Sequence, residues 1–460
     1  MNAQGLVVVP GFVDVHMHVS GDLLERPDAH NLVADGVTSV VSGNCGDSKV
    51  NLGEWFAELE ETGVAINVAS LIGHNSVRRT VMGTDNRAPT REEQAQMEAL
   101  VTAAMEDGAV GFSTGLVYVP GTYAATEEVL ALAKVAARHG GLYATHMRNE
   151  GEKVFEAIEE ALTIAQQAEM PLEISHFKQL NKRFWGTSSR MLERIEQARA
   201  GDIDVTLDQY PYTASSTRLG RMLPSWALAG GREALRHRLT DPEEREKIAG
   251  EMRKRQRNVL GYKHLDYAVV AEASWDPGLE GKSLREINRL WKREDKLDAE
   301  IETTLDLMEK GPLRMVYHRM NEEDVVRILR HPLTMVGRDG GVPDYGQGKP
   351  HPRNYGAAAH VLGRYVREKK VLSLEQAVRK LTSLPAQRFG FQDRGLLREG
   401  VQADIVILDP EIVSDAATFE EPHQYSRGIH SVLVNGEMVL KAGQRTGAQP
   451  GRILRHRNAQ

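Results

Sequence analysis

Short Val/Ile/Leu-rich runs alternate with stretches of helical periodicity over the first half of the chain. Leu6 to Val9, Val37 to Val41, Val64 to Leu71, Ala109 to Ser113, Leu142 to His146, Leu172 to His176 and Val205 to Tyr210 read as strands. Between them lie predicted helices at Asn31 to Asp35, Trp55 to Thr62, Arg91 to Glu106, Lys153 to Ala168 and Ser188 to Ala200. Thr90 is the expected cap of the third of these. Thr126 is the expected cap of a further helix that Gly140-Gly141 closes. Strands that are apolar on both faces and separated by helices belong to a parallel sheet covered on each side. The units are too many for a small open sheet, and no Gly-x-Gly-x-x-Gly opens the first helix. The pattern predicts an α/β fold of the closed (β/α)₈, TIM-like type.

The rhythm breaks between about residues 220 and 310. Arg232 to Arg257 reads as one long charged helix and Ser283 to Trp291 as another. This stretch is expected to be an inserted helical lid over the mouth of a barrel formed by residues 10–390. Leu313 to Tyr317 and Leu333 to Gly337 are expected to resume the barrel. The tail changes character again. Ala403 to Asp409 is a strand, and His430 to Val434 pairs with Met438 to Ala442 across the turn dipeptide Asn435-Gly436. Residues 391–460, with a strand from residues 1–9, are expected to make a small β-sandwich-like domain.

The sequence has 460 residues, is 41% hydrophobic and carries a net charge of −7. No long basic run is present, so nucleic acid and anionic membrane are excluded as natural partners. No apolar stretch approaches the roughly 20 residues that span a bilayer. The N-terminus lacks the pattern of a signal peptide. One cysteine excludes an internal disulfide and suits a reducing, cytoplasmic location.

Candidate chemistry gathers at predicted strand ends. His16 and His18 are two apart on an extended segment and share a face. Cys45, His146, His176 and Asp339 each sit at the C-terminal end of a later strand. Each residue alone has an ordinary reading: a buried cysteine, a hydrogen-bonded histidine, a turn aspartate. In a (β/α)₈ barrel, however, all these ends open on one face, where catalytic groups are found. Imidazole and thiolate are zinc-preferring ligands.

With these residues in view, Pro10-Gly11-Phe12-Val13-Asp14-Val15-His16-Met17-His18 resembles the first-strand signature of the amidohydrolase superfamily. Within it the chain is most similar to the D-aminoacylases. The matching stretches are Ser42 to Gly46, Gly111 to Leu116, Thr145 to Arg148, Ile174 to Lys178, Tyr210 to Ala214 and His351 to Arg353. The resemblance implies a tightly held Zn²⁺ at Cys45, His146 and His176, with a second, weaker metal near His16 and His18. It implies Asp339 as general base, and Lys178, Tyr210, Tyr118 and Arg353 as candidates for binding a small N-acyl amino acid substrate. His74, His351 and His360 are expected to be structural. Many amidohydrolases bridge two metals with a carbamylated lysine; here only Lys49 and Lys134 fall between Cys45 and His146, and neither suits that role. The implied reaction is hydrolysis of an N-acyl-D-amino acid, with a hydrophobic side chain as the default.

Two departures from the family pattern qualify this. Arg338 stands where a small residue usually precedes the aspartate. Alternation points it away from Asp339; were it to reach the pocket, it would favour N-acyl-D-glutamate or N-acyl-D-aspartate. The chain also opens only nine residues before Pro10, an expected shortening that leaves the small sheet to be built mostly after Leu396. The competing readings are a hydantoinase- or dihydropyrimidinase-type cyclic amide hydrolase, which the missing lysine disfavours, and an inactive scaffold paralogue, which the intact ligand set disfavours.

Overall fold

A computed structural model describes residues 3–456. The first nine strands are β1 (Val7–Pro10), β2 (Phe12–Asp14), β3 (Val37–Ser42), β4 (Asn67–Ser70), β5 (Ile72–Gly73), β6 (Gly111–Gly115), β7 (Leu142–His146), β8 (Leu172–Ile174) and β9 (Val205–Gln209). Eight later strands follow: β10 (Ser215–Arg218), β11 (Ala268–Glu272), β12 (Arg314–Tyr317), β13 (Thr334–Val336), β14 (Ile405–Leu408), β15 (Ile429–Val434), β16 (Glu437–Lys441) and β17 (Gln444–Arg445). Two sheets are wholly parallel, in the orders β2-β3-β4 and β13-β9-β8-β7-β6-β5. Only Leu71 separates β4 from β5, and Met17, after β2, forms a parallel bridge with Gly340, after β13. Val13, Val41, Ala69, Leu71, Leu142 and Met335 from both sheets pack into one apolar cluster with Phe389 and Phe391. The fold is therefore α/β, built on parallel strands with helices in the crossovers.

The helices follow local chemistry. Thr90 accepts from Glu93 N while the Glu93 carboxylate returns to Thr90 N, a reciprocal cap on Arg91–Glu106. Thr126, expected as a cap, is instead the first helical residue, and its hydroxyl donates to Glu160 Oε1 at 2.8 Å. The long charged helix divides into Gly231–Thr240 and Pro242–Lys254. Pro242 cannot continue a helix but suits a helix start, and the Asp241 side chain accepts from Glu243 N and Glu244 N.

Leu313 to Tyr317 does not rejoin the parallel series. As β12 it runs antiparallel between β10 and β11. These strands, the two helices and a third helix at Leu297–Lys310 share their own core, including Leu235, Ile248, Met252, Ile301, Leu305 and Met315. The inserted unit is thus mixed α and β, wider than the helical stretch that charge patterning marks.

The small C-terminal unit is one antiparallel sheet, β1-β14-β15-β16-β17. Among the described residues, the tail strands form this one sheet and no second sheet of their own to pair with it. Its Val406, Leu408, Val432 and Val434 join the same core as Val37, Val40 and Val68, so the parallel unit covers its apolar face. Asn435 and Gly436 both have positive φ, 50° and 88°, as the hairpin turn demands. Met1, Asn2 and residues 457–460 of the expected small domain lie outside the described residues.

Candidate active site

The six residues singled out at strand ends converge. His16 and His18 follow β2, Cys45 follows β3, His146 ends β7, His176 follows β8 and Asp339 follows β13. Cys45, His176 and Asp339 sit in the left-handed backbone region, at φ of 54°, 35° and 52°. For non-glycine residues this is a strained conformation, costing of order 1–3 kcal/mol each and concentrated at functional sites. Close approach adds glycines where no side chain fits: a Cβ on Gly46 would lie 2.3 Å from Asn75 Oδ1, and one on Gly337 2.8 Å from His16 Cβ.

The Cys45 sulfur is the hub. Its Sγ lies 3.3 Å from His16 Nε2, 3.6 Å from His146 Nδ1 and 3.4 Å from His176 Nε2. A tetrahedral zinc with Zn–S near 2.3 Å and Zn–N near 2.0–2.1 Å separates sulfur and nitrogen ligands by about 3.6 Å. Cys45, His146 and His176 therefore fit a zinc site by donor type and spacing. A second group, His16, His18, Cys45 and Asp339, also brings its donor atoms within 4.8 Å of one another. Burial would raise the Cys45 thiol pKa, but the His16 and His176 imidazoles outweigh it and hold it well below the ordinary thiol value.

Behind the imidazoles stand carboxylates that the sequence reading missed. His16 Nδ1 faces Asp208 Oδ2 at 3.1 Å. His176 Nδ1 faces Glu150 Oε1 at 3.0 Å, and His146 Nε2 faces Glu150 Oε2 at 3.3 Å. Each of these rings points one nitrogen at Cys45 and the other at a carboxylate, which fixes ring orientation and increases ligand basicity. Asp208 also accepts from His176 N at 2.8 Å.

Asp339 lies at the edge of the cluster. Its Oδ1 is 3.0 Å from His18 Nε2 and its Oδ2 is 2.9 Å from Arg353 Nη2. Burial favours its neutral form, but Arg353 and the His18 hydrogen bond prevail and hold the carboxyl well below the usual range. The Arg353 guanidinium rests over the Tyr210 ring at 4.5 Å. Tyr210 Oη and Arg353 Nε and Nη1 are buried with no hydrogen-bond partner, so donors beside Asp339 await an acceptor. Lys178 is placed differently. Its ammonium is spent on Glu150, His176 Nδ1 at 2.8 Å and His176 O at 2.9 Å. Tyr118 packs edge-on against His146, ring centroids 4.8 Å apart. A cavity of ≈ 900 Å³ opens over this centre, walled by His18, Cys45, Tyr118, Asp339 and Arg353 and, from the inserted unit, by Thr217, Arg221, Leu235 and Arg255.

Arg338 turns away from the cavity, as alternation predicts. Its Nε bonds Asp14 Oδ2 at 2.8 Å and its Nη2 bonds Asp35 Oδ2 at 2.9 Å. Asp14 in turn accepts from His16 N at 3.1 Å, so this buried triad anchors the histidine segment. Replacing Arg338 by Met strands two buried carboxylates and is expected to cost about 3–5 kcal/mol, read as a lowered urea midpoint. His351, expected to be structural, bonds Ala214 O at 3.0 Å, and His74 bonds Glu128 Oε1 at 2.9 Å.

The chain belongs to the amidohydrolase family, whose sequence model matches residues 1–440. Among characterised relatives it is 37% identical over 477 residues to a D-aminoacylase of Alcaligenes xylosoxydans xylosoxydans, spanning 99% of this chain and 88% of that protein. It is 36% identical over 477 residues to an N-acyl-D-glutamate deacylase of the same organism, with the same coverage. A crystal structure of N-acyl-D-glutamate deacylase from Bordetella bronchiseptica, complexed with zinc and a phosphonate mimic of the tetrahedral intermediate, superposes with a TM-score of 0.83 at 36% identity. That match covers 98% of this chain and 90% of the other.

Proposed function

We propose that this protein is a zinc-dependent hydrolase that converts N-acyl-D-amino acids and water into a carboxylate and a D-amino acid. The observation that carries the reading is the meeting of Cys45 Sγ with His146 Nδ1 and His176 Nε2 at 3.6 and 3.4 Å, with Asp339 beside them. The preference for D substrates comes from the relatives, not from these contacts. In this reading the two parallel sheets are one closed (β/α)₈ barrel, joined at the Met17–Gly340 bridge and the β4–β5 step. Residues from about 215 to 317 form its lid, and the β1–β14 sheet a small accessory domain. A cysteine kept as a reduced ligand fits the cytoplasm.

Cys45, His146 and His176 hold the zinc, and His16 and His18 define a second, weaker position. When bound, zinc supplies a Lewis acid and lowers the pKa of coordinated water toward about 7. Asp339 carries the proton: it takes one from the attacking water and delivers it to the departing amine nitrogen, which leaves poorly as an anion. His18 and Arg353 hold both oxygens of that carboxylate in place. The free donors of Arg353 and Tyr210 receive the substrate α-carboxylate, a charge-assisted pairing that satisfies otherwise orphaned groups. Lys178 supports this indirectly, neutralising Glu150 behind the two imidazoles. Tyr118 forms part of the wall against which the substrate lies.

Lys49 and Lys134 are both exposed, which leaves the cyclic amide reading without its bridging lysine. Zinc analysis paired with N-acetyl-D-, N-acetyl-L-amino acid and hydantoin assays tests the proposal. Stoichiometric zinc with D-selective N-acyl hydrolysis is expected. Turnover of hydantoins alone would transfer the protein to the cyclic amide class, and zinc without any turnover would leave a scaffold.

A further inference from the structure

β14 and β15 are joined by residues 409–428, which form no helix or strand of their own. Connections in compact domains run about 4–6 residues, and much longer ones are commonly functional. This one leaves the small sheet and lies as a strap against the segment that follows Asp339. His423 pins it there. Its Nε2 donates to the carbonyls of Gln347 and Gly348, each at 3.1 Å, and its Nδ1 meets Tyr355 Oη at 2.7 Å. The same loop also rests on the inserted unit: Lys349 N donates to Ala271 O at 2.6 Å, and a Cβ on Gly348 would lie 3.0 Å from that carbonyl. Gly346 and Gly348 sit at φ 83° and 69°, which lets the chain make this close passage.

Phe419 wedges in where the strap, the inserted unit and the parallel unit meet. It packs with Ala214, Ala271 and Val316, and its ring stands 4.7 Å from His318 and 5.0 Å from His351. His351 links it to the site: its Nε2 donates to Ala214 O and its Nδ1 accepts from Arg353 N, both at 3.0 Å. Two further bonds tie the strap down. His360 Nδ1 meets Asp415 Oδ2 at 2.8 Å, and Ser426 Oγ donates at 2.7 Å to Asp35, an anchor of Arg338. No strap residue lines the cavity, whereas Gln347, Gly348, His351 and Arg353 all do. The strap therefore acts on the site only through residues 347–353.

We propose that His423 and Phe419 are positioning residues for this reaction: from outside the cavity they clamp residues 347–353 and so hold the Arg353 guanidinium in register with the substrate α-carboxylate. Resting on the hydrolytic reading above, this gives the small β unit a part in substrate binding. A guanidinium pairs with a carboxylate through a rigid fork, so a small shift of its backbone costs affinity. The zinc ligands are steadied separately, by Glu150 and Asp208, and His18 still holds Asp339. Loosening the strap therefore weakens binding and spares the metal.

The test uses the zinc-loaded full chain and whichever of N-acetyl-D-leucine, N-acetyl-D-methionine and N-acetyl-D-glutamate the wild type turns over fastest. His423→Phe keeps the ring and loses its hydrogen bonds; His423→Gln restores a donor and an acceptor. Phe419→Ala empties the wedge; Phe419→Leu refills most of it. Zinc content and melting temperature are recorded for each. His423→Phe and Phe419→Ala are expected to raise KM about 10-fold while kcat changes less than about threefold, the signature of lost binding rather than lost chemistry. His423→Gln and Phe419→Leu are expected to recover most of the wild-type KM, and all four to hold stoichiometric zinc. His423 and Phe419 are both half-buried, and the His423 pair alone decides the matter if Phe419→Ala does not fold. An unmoved KM in His423→Phe overturns the clamp, as does a joint fall of kcat and zinc content with KM held, which would make the strap a general support. No turnover of any of the three compounds by the wild type overturns the hydrolytic reading itself, and the clamp with it.

Discussion

Replacing Asp339 by Asn is expected to leave the zinc at Cys45, His146 and His176 in place and to lower kcat by about 10²–10⁴-fold, the range that a positioned proton carrier contributes. The substitution is well controlled. Asp339 sits at φ 52°, a conformation that asparagine adopts more readily than most residues, so the backbone is preserved. The amide oxygen can still accept from Arg353 while the NH2 faces His18 Nε2, which accepts in its neutral tautomer, so the placement is kept although the negative charge beside Arg353 is lost. What is lost is the ability to take up and return a proton. Metal analysis alongside steady-state kinetics checks both halves. A kcat equal to wild type would remove Asp339 from the chemistry and leave it as a spacer between two cations.

The strand ends carried most of what the sequence revealed. His16, His18, Cys45, His146, His176 and Asp339 were legible because each closes an apolar run, and parallel strands open on one face. What lay behind them was not. Glu150 and Asp208 act on the imidazoles across separations set only by the fold, 26 residues from Glu150 to His176 and 192 from Asp208 to His16. A signal did exist for one of them: Asp208 lies near the end of its strand, among apolar residues, where a charge needs a partner. Lys178 shows the limit of the alternation rule. It places the side chain beside His176 correctly, but not the Glu150 that consumes its ammonium. Leu313 to Tyr317 misled for a different reason. A buried apolar run looks alike in parallel and antiparallel sheets, so nothing local assigned it to the inserted unit. The Pro242 break was readable in principle, because Asp before Pro is a helix-start signature that periodicity alone overlooks.

Replacing Cys45 by Ala is expected to abolish stoichiometric zinc binding, and turnover with it. Its Sγ is common to all three imidazole contacts, so no rearrangement of one histidine substitutes for it. The thiolate also supplies the anion that offsets the cluster; without it His16, His146 and His176 face one another around a buried gap. Glu150→Gln provides the scale for this loss. Glutamine keeps an acceptor for the imidazoles but gives up the charge, and removing such an outer partner costs about 10–100-fold in metal affinity. Cys45→Ala must exceed that, because it deletes a donor rather than its support. Chelator competition on wild type and both variants sets the order: wild type tightest, Glu150→Gln intermediate, Cys45→Ala weakest. Cys45→Ala holding zinc as firmly as wild type would return the cysteine to the role of a buried small hydrophobe, and the metal would have to be sought among His16, His18 and Asp339.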